Sequence, residues 1–178
     1  MELTVRDRRR AFRFFGAGQV ALLVPLLALE RRMRRTGGPG IIPFELAGTP
    51  ERSQRIMEKW GPDGRAAARV SLLLDYPYLV TYSGLQLAGC GAASDALRRR
   101  GADALADAGR VIGPSQLAAG AFDAAENTTL LAILAGRGDG RLPAFARGFA
   151  RAKFGLLYVG WLYAALGAAA AIASRFGR

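Results

Sequence analysis

The sequence contains no histidine and only one cysteine, Cys90. Without imidazole, the chain lacks the commonest catalytic base, the commonest metal ligand and a nitrogen ligand for haem iron. One cysteine cannot form an internal disulfide framework, and a lone cysteine in an apolar segment is typical of a small buried side chain. Any proton chemistry therefore falls to carboxylates and tyrosines.

Acidic residues are scarce beside basic ones. The chain has 14 Asp and Glu against 25 Lys and Arg, and its net charge is +11. An excess of cations can indicate nucleic-acid binding, but most of these arginines flank apolar blocks and no nucleic-acid recognition motif accompanies them. We therefore expect no nucleic-acid partner, and membrane lipid with anionic headgroups is the expected counterpart.

Long apolar blocks dominate the rest of the sequence. Hydrophobic residues make up 51% of the chain, yet the mean hydropathy is only +0.14 because the cations are concentrated between the blocks. This distribution predicts an all-α, multi-pass protein of the cell membrane, a single membrane domain over residues 1–178 that forms a four-transmembrane-helix bundle. The predicted spans are about residues 11–30, 68–93, 111–136 and 154–174.

The connection between the first two spans is predicted to be irregular over about residues 36–65. Within it, we expect residues 41–48 to form an extended segment at the membrane interface, because the segment is short and contains Pro43. Thr49 and Pro50 are typical of a helix start. They predict one interfacial amphipathic helix over about residues 50–60.

The connections after the second and third spans are predicted from their charged and polar residues. Residues 94–110, which contain three consecutive arginines, are predicted to form a loop with a short helical turn. Residues 142–153 are predicted to be a basic amphipathic lead-in to the last span, after a turn at residues 136–140.

Polar side chains recur along one face of each of the two central spans. A charged side chain is costly in lipid and by default indicates a functional site with a partner nearby. Steps of three and four residues place a set of side chains on one face of a helix. The second span has Ser71, Asp75, Tyr78, Tyr82 and Gln86 at this spacing, and the third has Gln116, Gly120, Asp123 and Asn127, with Glu126 beside them.

The two faces are predicted to meet near one membrane surface. At about 1.5 Å per residue, Asp75 lies roughly 8 Å inside its span, and Glu126 and Asn127 lie roughly 13 Å inside theirs. The spans run antiparallel, so these groups can converge into an acidic pocket that is rimmed by arginine and covered by Phe44, Glu45 and Leu46.

This pocket predicts a site for a lipidic or otherwise hydrophobic small molecule, with carboxylate acid/base catalysis as a possible activity. The catalytic candidates are Asp75 and Glu126, which would handle protons, and Asp123, which would position them. The substrate-binding candidates are Glu45, Tyr78, Tyr82 and Asn127. No sequence motif assigns a metal or a cofactor.

Several alternatives fit the same residues. The pocket oxygens could hold Na⁺, Mg²⁺ or Mn²⁺, and the protein could be a proton- or cation-coupled transporter or channel subunit, acting as a homo-oligomer. It could instead be an assembly protein that uses the small residues of the last span, such as Gly160 and Gly167, as an interface. The acids could also be structural, with Asp75 paired to Arg69 or Arg151.

A group of residues between about positions 40 and 130 carries a resemblance to other proteins. The group comprises Phe44-Glu45-Leu46-Ala47-Gly48, Trp60-Gly61, Leu74-Asp75-Tyr76, Tyr82 and Asp123-x-x-Glu126-Asn127. It resembles a pattern in small, functionally uncharacterised bacterial integral membrane proteins. The resemblance implies a four-span membrane protein and no particular activity.

Overall fold

The computed structural model describes residues 5–137 and 139–176, and its regular structure in those residues is entirely helical. The all-α prediction is therefore confirmed. The five helices are α1 (Val5–Arg35), α2 (Ile41–Glu45), α3 (Pro50–Arg98), α4 (Asp103–Leu134) and α5 (Leu142–Phe176).

Helix α3 contains the predicted amphipathic helix as its first segment. The Thr49 hydroxyl accepts a hydrogen bond from the backbone N–H of Arg52 at 3.3 Å, which caps the helix start. The helix breaks at Gly61, whose backbone angles are φ 56° and ψ −164°. It resumes at once at Pro62, so the prediction of irregular chain up to residue 65 is wrong.

The segment that was predicted to be extended contains the short helix α2. The carboxylate of Glu30 on α1 accepts a hydrogen bond from the backbone N–H of Ile41 at 2.9 Å, which satisfies one of the free amides at the start of α2. Pro43 is tolerated because the first amides of a helix have no partner within it. Phe44 is 1% exposed, so its burial also favours the helix.

Two further boundaries differ from the predictions. The connection between α3 and α4 covers only residues 99–102, because alanine-rich sequence continues the helices on both sides. Across this turn, Nη2 of Arg98 lies 2.8 Å from Oδ1 of Asp107. The lead-in predicted for residues 142–153 is not a separate element, since α5 is continuous from Leu142.

The helices contribute to two compact units. The first, here called the loop unit, consists of Gly18–Leu79 and Ala121–Ala152. Its core is built on Phe44 and Trp60, whose ring centroids are 5.0 Å apart, and also includes Leu72 of α3 and Leu130 of α4. The Trp60 indole N–H donates to the Pro39 carbonyl at 2.6 Å, which fixes the loop between α1 and α2.

The second unit, here called the terminal unit, comprises the described parts of Met1–Ala17, Val80–Gly120 and Lys153–Arg178. Its core contains Cys90 and Tyr163, and the Tyr163 hydroxyl donates to the Leu105 carbonyl at 3.0 Å. Gly160 and Gly167 are buried here against Gln116 and Ala93, where a Cβ atom would clash. Both glycines therefore serve packing within the unit.

Two helical segments are long and apolar enough to cross a membrane, Arg10–Arg35 and Leu142–Ala173. In the most apolar stretch of the first, none of the residues is buried, and in that of the second 22% are buried. The central segments of α3 and α4 do not meet the same standard among the described residues.

Candidate functional site

Within the loop unit, α4 buries its most polar face. Asp123 is 3% exposed, Glu126 0% and Asn127 1%. Their spacing places them on one side of the helix, in line with the core residue Leu130. In the terminal unit, the same helix carries Leu117, whose side chain is 53% exposed. In the loop unit, α4 therefore buries acidic and amide side chains together with the apolar Leu130.

Asp75 on α3 is held directly by this face. The Asn127 side-chain amide donates a hydrogen bond from Nδ2 to Oδ2 of Asp75 at 2.7 Å. Asp75 is half-buried, whereas Ser71 one turn earlier is buried and Val70 and Leu73 are exposed. This segment of α3 therefore buries the polar Ser71 beside the apolar Leu72, while Val70 and Leu73 face outward.

Tyr78 lies one turn beyond Asp75 and is half-buried. Its hydroxyl accepts a hydrogen bond from the Gln19 side chain on α1 at 3.4 Å. Gln19 was not among the predicted site residues. It could have been found, because it is the single polar side chain in the apolar block of residues 14–29.

A second contact between α3 and α4 was also missed. The Tyr76 hydroxyl and the Thr128 hydroxyl are 2.7 Å apart, on the more exposed side of the helix pair. The Thr128 hydroxyl also donates to the Ala124 carbonyl at 2.8 Å. Tyr76 and Thr128 each follow a member of the Asp75–Asn127 pair, so the two hydrogen bonds fix the register between α3 and α4.

Glu45 ends α2 and is 7% exposed. Its neighbour Phe44 packs in the same core as Leu72, three residues before Asp75, and Leu130, three residues after Asn127. The end of α2 therefore lies about one helical turn from the acidic residues of both helices. Of the three residues predicted to cover the pocket, Phe44 and Glu45 are inside the core and only Leu46 is exposed.

The remaining predicted site residue, Tyr82, is 7% exposed and belongs to the terminal unit. Lys153 also belongs to that unit and is 5% exposed, with its ammonium 4.7 Å from the centre of the Phe154 ring. Arg69 and Arg151 are exposed. Neither arginine forms an ion pair within the described part of the chain, so the structure does not pair Asp75 with them.

The chemistry available in the loop unit is that of carboxylates, an amide and phenols. Asn127 fixes the orientation of Asp75, and the buried Glu126 and Asp123 lie on the same helix face as Asn127. Carboxyl groups in different surroundings can divide the roles of proton donor and proton acceptor. Across residues 5–137 and 139–176, no three His, Cys, Asp or Glu side chains are grouped as metal ligands would be.

Comparison with known proteins gives no match to a protein-family model, a curated protein or a solved structure. The case for a function therefore rests on the paired polar faces of α3 and α4.

Proposed function

We propose that the chain is a four-span membrane protein whose loop unit binds a lipidic or otherwise hydrophobic small molecule at Asp75 and the polar face of α4. Asp75 exchanges protons with the bound molecule, Glu126 acts from behind it as the second member of the proton-handling pair, and Asn127 positions Asp75. The observation that carries this proposal is the 2.7 Å hydrogen bond between Asn127 and Asp75 beside the fully buried Glu126.

Placement in the membrane is supported by which side chains are exposed. Large apolar residues of α1 and α5 lie on the surface, including Phe14 at 74% exposure and Trp161 at 57%. Transfer of such surface out of water is favourable by roughly 25 cal/mol per Å². Lipid rather than water is therefore the natural surroundings for these helices.

The central helices support two further spans. Val70 and Leu73 of α3 are exposed, while Asp123, Glu126 and Asn127 of α4 are buried. Polar groups within membrane spans face the protein interior, because each charged group costs several kcal/mol in lipid. Helices that fall short on mean hydropathy can still span when their polar residues are buried in this way.

A hydrophobic ligand is favoured by the position of the site. A site among membrane helices is reached most directly by molecules dissolved in the bilayer. Asp75 and Tyr78 are only half-buried, so they are the groups such a molecule would contact. Glu126 is enclosed and would act from behind them.

The test is to identify what the purified protein retains. The wild-type chain and the double variant Asp75→Asn/Glu126→Gln are extracted from membranes in mild detergent, and bound small molecules are measured by native mass spectrometry. We expect a hydrophobic species on the wild type that is reduced by at least about tenfold in the variant, because hydrogen bonds to charged groups contribute about 1.5–3 kcal/mol.

A matched control replaces two exposed acids of the loop unit, Glu58 and Asp63, as Glu58→Gln/Asp63→Asn. This control should keep the bound species. Equal retention by all three proteins, with unchanged folding, would contradict a binding role for Asp75 and Glu126. A bound species that is absent from every sample, together with cation flux in proteoliposomes that depends on the same acids, would instead support a transporter.

A further inference from the structure

A cavity in the loop unit lies apart from the acidic residues. It has a volume of about 450 Å³, within the range of roughly 300–1,000 Å³ that is usual for small-ligand sites. One wall is formed by the loop after α1, with Pro39, and by α2, with Pro43, and the other is the first segment of α3. The cavity lining contains three cationic side chains, Arg52, Arg55 and Lys59, and no acidic one.

The three cations occupy one side of α3. They follow each other at steps of three and four residues, which places them on one helix face. All three are exposed, and none forms an ion pair within the part of the chain that the structure describes. The side of the cavity formed by α3 is therefore strongly positive.

The acids of the same segment have partners away from the cavity. Glu58 accepts a hydrogen bond from the Gln54 side chain at 3.1 Å. The pKa of Glu51 is lowered by hydrogen bonds from its own backbone amide and from Thr49, with a smaller contribution from the positive charge of Arg55. Neither acid lines the cavity, although Glu51 interacts electrostatically with Arg55, which does.

Apolar groups border the cations. Leu46 in the cavity wall is 37% exposed, and Ile42 on the adjoining turn of α2 is 52% exposed. A soluble anion gains nothing from contact with apolar side chains. An amphiphile, in contrast, places its charged headgroup on the cations and its acyl chains on the apolar side. The combination of charges and apolar surface is typical of segments that lie at a membrane surface.

We infer that this cavity binds the phosphate-bearing headgroup of an anionic phospholipid, held by Arg52, Arg55 and Lys59. Arginine and lysine are the usual phosphate ligands in proteins. The inference rests on the membrane placement in the proposed function and is independent of the acidic residues. It assigns Pro43 and Leu46 to contact with the lipid glycerol region.

The test compares lipid binding by the full chain and two charge-matched variants. Arg52→Gln/Arg55→Gln/Lys59→Gln removes the cavity cations, and Arg31→Gln/Arg35→Gln/Arg69→Gln removes three exposed cations of the same unit that do not line the cavity. Each protein is titrated in detergent with phosphatidylglycerol or phosphatidylcholine, and bound lipid is measured by native mass spectrometry. Inorganic phosphate is added as a competitor.

We expect the wild type and the control to bind phosphatidylglycerol at least about tenfold more tightly than the cavity variant does, because only that variant loses the cations that line the cavity. Phosphatidylcholine should show no such difference. Equal phosphatidylglycerol binding by all three proteins would overturn the inference. Complete displacement of the lipid by millimolar phosphate would overturn the assignment to lipid.

Membrane extraction separates this result from the proposed function. If alkaline carbonate releases the wild-type chain from membranes, the membrane placement itself fails. If the chain resists carbonate but the cavity variant keeps its preference for phosphatidylglycerol, only the lipid site is wrong.

Discussion

Asp75 and Asn127 form the most informative side-chain pair in the protein. Asn127 is 1% exposed and donates its amide hydrogen to a carboxylate that is only half-buried. A buried amide that orients a more accessible carboxylate is an arrangement suited to binding, because the carboxylate is already in position before a ligand arrives. Glu126, next to Asn127 on α4, is fully enclosed and cannot meet a ligand in the same way.

The pair should contribute measurably to stability. We predict that Asn127→Ala lowers the free energy of unfolding by about 1–3 kcal/mol, since it leaves a partly buried carboxylate without its donor. A double-mutant cycle with Asp75→Ala should give a coupling energy of about 0.5–3 kcal/mol. Both are measured by denaturant unfolding in detergent.

The exposed hydrogen bond between Tyr76 and Thr128 supplies the control, because it joins the same two helices over the same 2.7 Å. Thr128→Ala should cost less than Asn127→Ala, since a hydrogen bond between neutral hydroxyls contributes about 0.5–1.5 kcal/mol and one to a charged group about 1.5–3 kcal/mol. An Asn127→Ala cost no greater than that of Thr128→Ala, with zero coupling to Asp75, would show that the pair is not structurally significant.

The polar residues of this site could be predicted from the sequence because their spacing is a property of a single helix. Steps of three and four residues put Asp123 and Asn127 on one face regardless of the rest of the fold. The contact of Gln19 with Tyr78 could not be predicted in the same way. It depends on how α1 packs on α3, which no spacing within either segment specifies.

Some helix boundaries likewise follow from neighbouring residues in the sequence, whereas others depend on contacts with other helices. The start of α3 at Pro50 and its break at Gly61 follow from local signals, a capping threonine and a Gly-Pro pair. Helix α2 has no such signal. It depends on the Glu30 carboxylate from α1 and on the packing of Phe44 against Trp60, so sequence reasoning took the segment to be extended.

The break in α3 should require glycine. The backbone of Gly61 has φ 56° and ψ −164°, a region that other residues rarely adopt, while no side chain lies within 4 Å of where a Cβ would be. We predict that Gly61→Ala destabilises the protein by about 1–3 kcal/mol through backbone strain alone. Thermal unfolding in detergent measures the change.

Gly155 is the matched control, because it lies within α5 and also has no atom near its built Cβ. Gly155→Ala should stabilise the protein by about 0.5–1 kcal/mol, since alanine favours a helix. If Gly61→Ala stabilised the protein as well, the chain at this point would be ordinary helix and the kink would be absent.

The turn between α3 and α4 should give a pH-dependent contribution to stability. The hydrogen bond and charge of Arg98, together with Arg110, hold the pKa of Asp107 below its ordinary value. A lowered folded-state pKa means that the stabilisation is present above the unfolded pKa and is lost as the pH falls through the folded one. The contribution of this turn to stability therefore decreases at acidic pH.

We predict that Asp107→Asn lowers the midpoint of thermal unfolding near neutral pH and that the difference from the wild type disappears below the pKa of Asp107. Added salt should also shrink the difference, because the pair is exposed. Thermal scans at several pH values and salt concentrations measure it. A difference that persisted unchanged to strong acid would show that Asp107 stabilises the turn by something other than its charge.

At the scale of the whole molecule, the distribution of surface is the strongest indication of membrane placement. Apolar side chains on α1 and α5 are exposed, and α4 buries Asp123, Glu126 and Asn127. Mean hydropathy alone selects only the segments Arg10–Arg35 and Leu142–Ala173. The proposal of four spans therefore rests on which side chains are buried, and the mean hydropathy of a segment does not measure this.

The most direct measurement is the topology of three connections, for which the single native cysteine is an advantage. In a Cys90→Ala background, single cysteines are introduced as Arg35→Cys, Arg100→Cys and Arg137→Cys, all at exposed positions. Each is labelled with a membrane-impermeant maleimide in vesicles of defined orientation. Four spans predict that the cysteines at positions 35 and 137 react from one side and the cysteine at position 100 from the other. Labelling of all three from the same side would mean that α3 and α4 do not cross the membrane, and would contradict the proposed site.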